Sequence, residues 1–427
     1  MPLRHRHQMR RIFIYCHDAY GMGNARRMMA ISRHLAATLP DANLLLASGS
    51  PVIHGFRLPD RVDYIKLPSV ARTDREQYAT RYLTTGIRDT IRLRAALLRA
   101  AVQDFAPDLV LVDKKPFGIM HELGDAVRHL RATSPDTRHV LVLRDILDAA
   151  EPTRACLASS GFERDVNACF DLVAVLGTPR VFDVGHEYAL APDTRRRIAY
   201  CGYLRSAPGT RPATDVRQAL AVAPGERLVL VTAGSGEDGR ALLETSVDAV
   251  ARLRADGAPV RALVVAGPQL PPADLARLHG AAAAIGGTTV QQFTDDMSSY
   301  VAAADVVVTM GGYNSVCDVL SLAARAVVVP RVRPVAEQWI RAQRLAALDC
   351  FSAVHPDALT GGGLAAALAE ALARPARRTP HAAVDLSGLD GLMTHLDRLY
   401  RGSAEATAAP FPLAARSRAR LLCQEFQ

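Results

Sequence analysis

The sequence predicts an α/β protein made of two doubly wound, Rossmann-like parallel-sheet domains that face one another across a cleft. Three observations predict it. Short β-branched runs alternate with Ala/Leu/Arg-rich helical stretches along most of the chain. The runs are almost continuously apolar, as strands covered on both faces must be. They also fall into two sets, each opening with a glycine loop, on either side of CGYLRSAPGTRPATDVRQAL at 201–220. That stretch is rich in Gly, Pro, Ser and Thr and reads as an interdomain linker.

The first set comprises Ile12–Tyr15, Asn43–Ala47, Leu109–Val112, His139–Leu143 and Leu172–Leu176. The second comprises Leu228–Thr232, Ala262–Ala266, Thr289–Phe293, Val306–Met310 and Ala326–Val329. One domain then covers 10–205 and the other 215–400, with a closing hinge near Gly202–Thr214. The segment 403–427 begins as low-complexity Ala/Thr/Pro and predicts a flexible tail. Binding sites in such sheets lie at the carboxyl ends of the strands.

Composition narrows the class. The chain has 427 residues, 49% apolar and 22% charged, which suits a soluble two-domain protein. No apolar run approaches the roughly 18 residues of a membrane span. The basic start MPLRHRHQMRR precedes too short an apolar run for a signal peptide, so the expected location is cytoplasmic. Seven scattered cysteines with no C-x-x-C argue against a disulfide framework and against zinc. The net charge of +8 comes from dispersed arginines, lysine occurring only at 66, 114 and 115. That is not a nucleic-acid footprint, though it suits anionic substrates.

The first glycine loop lies in YCHDAYGMGNARRMMAI, 15–31, with Gly21 and Gly23. It is not a dinucleotide fingerprint. Arg26 occupies the third glycine position, and no acid ends the second strand. In the second half, LVLVTAGSGEDG puts Gly234, Ser235 and Gly236 in a turn that either cradles a phosphate or simply joins strand to helix. No lysine follows, so it is not a Walker loop. The stretch ADVVVTMGGYNSVCDVLSL runs a strand into Gly311–Gly312, then a helix expected to start near Asn314 or Ser315. Both are natural caps, and the positive helix end suits a diphosphate. Asp318, one turn in, suits ribose hydroxyls or is a first-turn charge. In FTDDM, Phe293 and Thr294 stand where a base could lie, and Asp295 or Asp296 caps a helix. Glu337–Gln338, at a helix start in VVVPRVRPVAEQWIRAQ, offer donors and acceptors for sugar hydroxyls, or Glu337 caps. Lys114, Lys115, Arg144 and Asp145 at strand ends of the first domain either bind an acidic acceptor or are ion-paired loop residues.

The run from FTDDM through MGGYNSVCDVLSL to VPRVRPVAEQ resembles the C-terminal domain of family 28 glycosyltransferases, the group containing MurG. HDAYGMGNARR, VDKKPFG (112–118), LRDILD (143–148) and LGTPRVFD (176–183) resemble a bacterial branch of that group. The resemblance implies the GT-B fold and a nucleotide-diphosphate sugar, UDP-linked above all, held by the second domain. It implies neither metal nor other cofactor. By position, Phe293 and Thr294 flank the base. Gly234, Ser235, Gly236, Gly311, Gly312, Asn314 and Ser315 face the phosphates, with Arg331 and Arg333 beside the diphosphate. Asp318 takes the ribose position, and Glu337 with Gln338 the sugar. Gly21, Gly23, Lys115 and Arg144 fall on the acceptor side. The branch's loop reads G-L-G-H-x-R-R, and its histidine matches Asn24.

Asn24 cannot accept a proton as that histidine would. Three explanations stand: His17 or Asp18 supplies the base; the acceptor is a phosphate, carboxylate or amine; or transfer is lost and a nucleotide-sugar-binding protein remains. A nucleotide-sugar hydrolase or 2-epimerase is a further alternative. The expected acceptor is a small molecule, a lipid-linked sugar or a glycan. Peripheral contact with the inner membrane face follows by analogy, although no hydrophobic surface helix stands out in the first domain.

Overall fold

The computed structural model describes residues 9–17, 23–73, 77–322, 324–375 and 383–407. Asp18, Gly21 and the tail after 407 lie outside the described residues. The first sheet takes its strands in chain order from β1 (Arg11–Cys16), β2 (Asn43–Ser48) and β3 (Val62–Lys66). A short antiparallel pair, β4 (Val70–Arg72) and β5 (Tyr78–Thr80), stands apart. The sheet resumes with β6 (Leu109–Asp113), β7 (Arg138–Arg144), β8 (Leu172–Leu176) and β9 (Ile198–Tyr200). The spatial order is β3-β2-β1-β6-β7-β8-β9, all parallel. The second sheet contains β10 (Arg227–Thr232), β11 (Val260–Val265), β12 (Thr288–Gln291), β13 (Val306–Thr309), β14 (Ala326–Val328) and β15 (Ser352–Ala353). Its order is β12-β11-β10-β13-β14-β15, again parallel.

The central strands explain their own position. After Arg11, every residue of RIFIYC in β1 is buried, and after Arg227 every residue of RLVLVT in β10 is buried. Side chains of both parities are apolar, so neither face can meet water, and helices cover both. In each sheet the strand order reverses beside the first strand, between β1 and β6 and between β10 and β13. A crevice opens at such a switch point, because the following connections leave on opposite faces.

Two segments differ from the sequence reading. The stretch 201–220 is not a loose linker: Cys201, Tyr203 and Leu204 are buried, and a helix forms at Ala213–Ala219. The Tyr203 ring stacks on Tyr313 at 5.8 Å, so the crossing chain is part of the core between the sheets. The helix Gly388–Thr407 crosses back to the first domain and runs beyond Ser403. The Tyr400 hydroxyl donates to the Asp108 carbonyl at 2.8 Å, and the Tyr203 N–H donates to the Asp385 carbonyl at 2.8 Å. Among the described residues, no helix is long and apolar enough to cross a membrane.

Candidate active site between the two sheets

The two switch points face each other, and the cleft between them draws residues from both domains. Gly23, Asn24, Arg26, Arg27 and Arg144 line it from the first domain. Gly234, Ser235, Phe293, Thr294, Gly312, Asn314, Ser315, Asp318, Arg331, Glu337 and Gln338 line it from the second. Most of the residues singled out by sequence therefore meet. His17, Lys114, Lys115, Asp145, Gly236, Gly311 and Arg333 are not in the lining, and Arg333 is exposed.

The glycines around the second-domain loops have distinct reasons. A Cβ at Gly236, whose φ is +93°, would come within 2.6 Å of the Ala266 carbonyl oxygen. At Gly311, with φ +75°, it would come within 2.7 Å of Val328. These two let the loops approach their neighbouring strands. Gly234, φ +68°, has nothing within 4 Å of that position and leaves its side of the turn open. Strand β12 stops at Gln291, so Phe293 lies past the strand end and not on it, and its ring is exposed at the cleft. Asp296 caps the next helix by accepting from the Ser299 N–H at 3.3 Å.

The helix after β13 begins at Tyr313, with Gly312 as its cap residue and no side-chain cap bond. The expected capping by Asn314 or Ser315 is corrected: both lie inside the first turn. The extended backbone of Gly312 already turns the chain into the helix, leaving its first amides unoccupied by a side chain. Asn314 reaches across the cleft and donates to the Gly23 carbonyl at 3.0 Å. Asp318 is buried and accepts from Arg26 of the first domain at 3.0 and 3.1 Å, and from the Ser206 hydroxyl at 2.5 Å.

Glu337 opens the helix Glu337–Ala347 and is buried against cations. It forms an ion pair with Arg144 and lies 3.8 Å from Arg331 and 3.7 Å from Arg341. Gln338 accepts from the Arg331 N–H at 3.0 Å, while the Arg331 guanidinium holds Asp238 at 2.7 Å. Sequence reading missed Arg341. It grips Asp145 of the first domain through two 2.7 Å hydrogen bonds and donates to the Gly311 carbonyl at 3.2 Å. Asp145 also accepts from the Tyr203 hydroxyl at 2.8 Å and is fully buried. It therefore seals the domain contact and does not face the cleft. The i, i+4 spacing of Glu337 and Arg341 was the available signal.

On the first-domain side, the Asn24 amide donates to the His17 carbonyl and accepts from Arg27 at 3.0 Å. Arg27 is paired with buried Asp113, which also takes the His17 N–H at 3.2 Å. The His17 ring is enclosed, with Nδ1 unpartnered among the described residues. Burial, followed by Lys114 and Lys115, holds its pKa well below the usual histidine value, so it stays neutral. Burial first, then Arg144 and Arg72, press the Lys114 ammonium down to about 7. No group of three or more His, Cys, Asp or Glu side chains placed to hold a metal ion occurs among the described residues.

A cleft between two doubly wound domains, with glycine loops and a helix start on one wall, is the architecture of the GT-B glycosyltransferases. Residues 228–390 match the model of the glycosyltransferase family 28 C-terminal domain. Solved structures with this fold include MurG of Acinetobacter baumannii, with TM-score 0.53 and 16% identity over 92% of this chain and 99% of the other. CalG4, the calicheamicin glycosyltransferase, gives TM-score 0.54 at 17% identity over 94% of this chain and 100% of the other. A Listeria monocytogenes protein named for UDP-N-acetylglucosamine 2-epimerase gives 0.61 at 12% identity over 92% and 97%. At such identities these likenesses show the fold. No curated protein matches the chain in sequence. The chain is a glycosyltransferase of GT-B fold. Its residues 228–390 carry the glycosyltransferase family 28 C-terminal domain.

Proposed function

We propose that the chain transfers a sugar from a nucleotide-diphosphate sugar, UDP-linked in the first instance, to an acceptor seated on the first domain, without a metal ion. The observation that carries this reading is the convergence of Ser235, Thr294, Asn314, Asp318, Glu337 and Gln338 on one cleft. In the reaction the bond from the anomeric carbon to the diphosphate breaks and a bond to the acceptor forms. The leaving diphosphate gains charge. The free amides at the start of the Tyr313–Ser321 helix, the 234–236 loop and Arg331 answer that charge. Asp318 would exchange Arg26 for the ribose hydroxyls, and Glu337 with Gln338 would read the sugar.

The proton is the open step. Asn24 is engaged at both ends, and His17 is enclosed, so neither is poised as a base. That leaves Asp18, which lies outside the described residues, as the base, or an acceptor that needs little deprotonation. Peripheral membrane contact, part of the same reading, draws support from exposed Tyr82, Leu83, Leu93 and Leu97, interleaved with exposed Arg81, Arg88 and Arg92.

The test is a panel of UDP-, dTDP- and GDP-sugars, scored for binding and for nucleotide release, with the Asn24→His variant alongside. Selective binding with slow release, faster in the variant, is expected. Binding without turnover even with acceptors present would favour a binding protein, and isomerised sugar would favour an epimerase. No binding of any sugar nucleotide would sink the donor site.

A further inference from the structure

We propose that Arg144 of the first domain is a specificity residue of the donor-sugar subsite, where it reads a hydroxyl of a neutral sugar together with Glu337 and Gln338. The proposal rests on the transferase reading above. It moves Arg144 from the acceptor side, where the resemblance places it, to the donor. Arg144 ends β7, at the carboxyl edge of the first sheet. Glu337 opens its helix on the facing wall. All three residues line the cleft. Arg144 and Glu337 form an ion pair, with side chains 18% and 5% exposed.

The pair brings its charges together without using up its hydrogen bonds. Glu337 Oε2 and Arg144 Nε are both buried and make no hydrogen bond with the described residues. A buried carboxylate oxygen left in that state is costly, and a hydroxyl group, donor and acceptor at once, suits both atoms. Gln338 completes the set. Its Oε1 takes the Arg331 N–H at 3.0 Å, which leaves the amide NH2 as the donor. That NH2 lies 4.0 Å from the place a Cβ on Gly312 would take, at the start of the Tyr313–Ser321 helix. The sugar corner therefore adjoins the amides assigned to the diphosphate, as the anomeric linkage requires.

Charge balance points to a neutral sugar. Three cations surround Glu337, and each has an acid. Arg341 holds Asp145 through two 2.7 Å bonds, Arg331 holds Asp238 at 2.7 Å, and Arg144 has Glu337. A uronate carboxylate would meet Glu337 in a corner nearly closed to water, where like charges repel strongly. An anion on the acceptor would have to compete for Arg144 with this second-domain acid.

Arg144→Lys tests this. A lysine keeps a charge beside Glu337 but lacks the planar fork and its Nε–H. Calorimetry on the full chain compares UDP with UDP-glucose, UDP-N-acetylglucosamine and UDP-glucuronate, with Tm measured for each variant. Arg144→Lys should weaken the tightest neutral UDP-sugar by about fivefold or more, and UDP by less than about twofold. The natural chain should bind that sugar nucleotide about tenfold or more tighter than UDP-glucuronate. Glu337→Gln removes the charge and keeps the shape, and should cut that ratio to about threefold or less. Equal loss of UDP and UDP-sugar, with or without a fall in Tm, would make Arg144 structural and overturn the proposal. No loss of either would overturn it and return Arg144 to the acceptor side. A natural preference for UDP-glucuronate, or an unchanged ratio in Glu337→Gln, would overturn the neutral-sugar assignment. UDP bound alongside any of these results leaves the donor site standing. No binding of any of these nucleotides sinks the UDP-sugar reading itself, and this subsite with it.

Discussion

Both ends of the Asn24 amide are occupied, by the His17 carbonyl and by Arg27, so the residue ties the first loop to its own strand. Asp318 is arranged differently. Its partners Arg26 and Ser206 come from outside its domain, and Arg26 is 43% exposed. Solvent screens Arg26 but Asp318 is only 3% exposed, so ribose hydroxyls that displace Arg26 must satisfy a buried carboxylate. Asp318→Ala should weaken nucleotide-sugar binding about tenfold, the loss of one or two charge-assisted hydrogen bonds, read by calorimetry. His139 gives a pH prediction. Burial and then Arg131 push its pKa down to about 3, so it is neutral in the fold, whereas the unfolded chain titrates it at the ordinary histidine value of 6.5. Below that pH the unfolded state binds the extra proton, so this contribution is complete above 6.5 and is lost progressively as pH falls toward 3. Urea unfolding of His139→Phe should show a smaller stability loss between pH 7.5 and 5 than the natural chain, and an equal loss would refute the assignment.

At the level of elements, the Gly311 turn sets where the Tyr313–Ser321 helix points. Gly311→Ala should destabilise the fold by about 1–3 kcal/mol and weaken nucleotide binding with it, since both the +75° φ and the Val328 contact oppose a Cβ. Thermal unfolding and nucleotide titration of the same variant would check this. The central strands were legible because burial on both faces leaves an apolar run. The run Leu172–Leu176 matches β8 end for end, and Leu109–Val112 falls within β6. Edge strands left no such mark. VDYIK in β3 is broken by Asp63 and Lys66, and β9 and β15 are only three and two residues long. The Tyr313 helix start was misplaced because Asn314 and Ser315 have capping side chains, while Gly312 turned the chain by backbone alone. The exposed Leu93 and Leu97 were equally hidden: the helix Ile87–Phe105 looks ordinarily amphipathic until burial of Ile91, Arg94 and Leu98 shows which face is left out. The site's loops were readable as glycine punctuation, but the ion pairs joining them lie far apart in sequence, Asp145 and Arg341 by 196 residues, and no local pattern records them.

Across the whole molecule, two kinds of contact hold the domains together. At the cleft rim, Arg26–Asp318 and Asn314–Gly23 are partly exposed, and on the proposed reading they would break when a donor enters. Deeper, Arg341 and Asp145 form a fully buried pair, joined by Tyr203 from the crossing segment and by the Ala336 N–H to Asp148 at 2.7 Å. The inner contacts meet the crossing segment at Tyr203, so they are placed to act as a pivot while the rim opens. Salt should separate the two, since screening reaches exposed pairs and spares buried ones. Raising ionic strength to about 0.5 M should therefore leave Tm nearly unchanged while loosening the rim. Asp145→Ala removes one partner of the buried pair and strands the Arg341 charge. It should cost about 3–5 kcal/mol and enlarge the radius of gyration in small-angle scattering. Arg26→Ala should lower Tm modestly, because buried Asp318 loses two hydrogen bonds and keeps that from Ser206, and should tighten nucleotide binding up to about fivefold by freeing Asp318. If Arg26→Ala instead weakened binding, Arg26 would be a diphosphate contact rather than a rim latch. If Asp145→Ala left the radius unchanged, the pivot would lie elsewhere in the crossing segment.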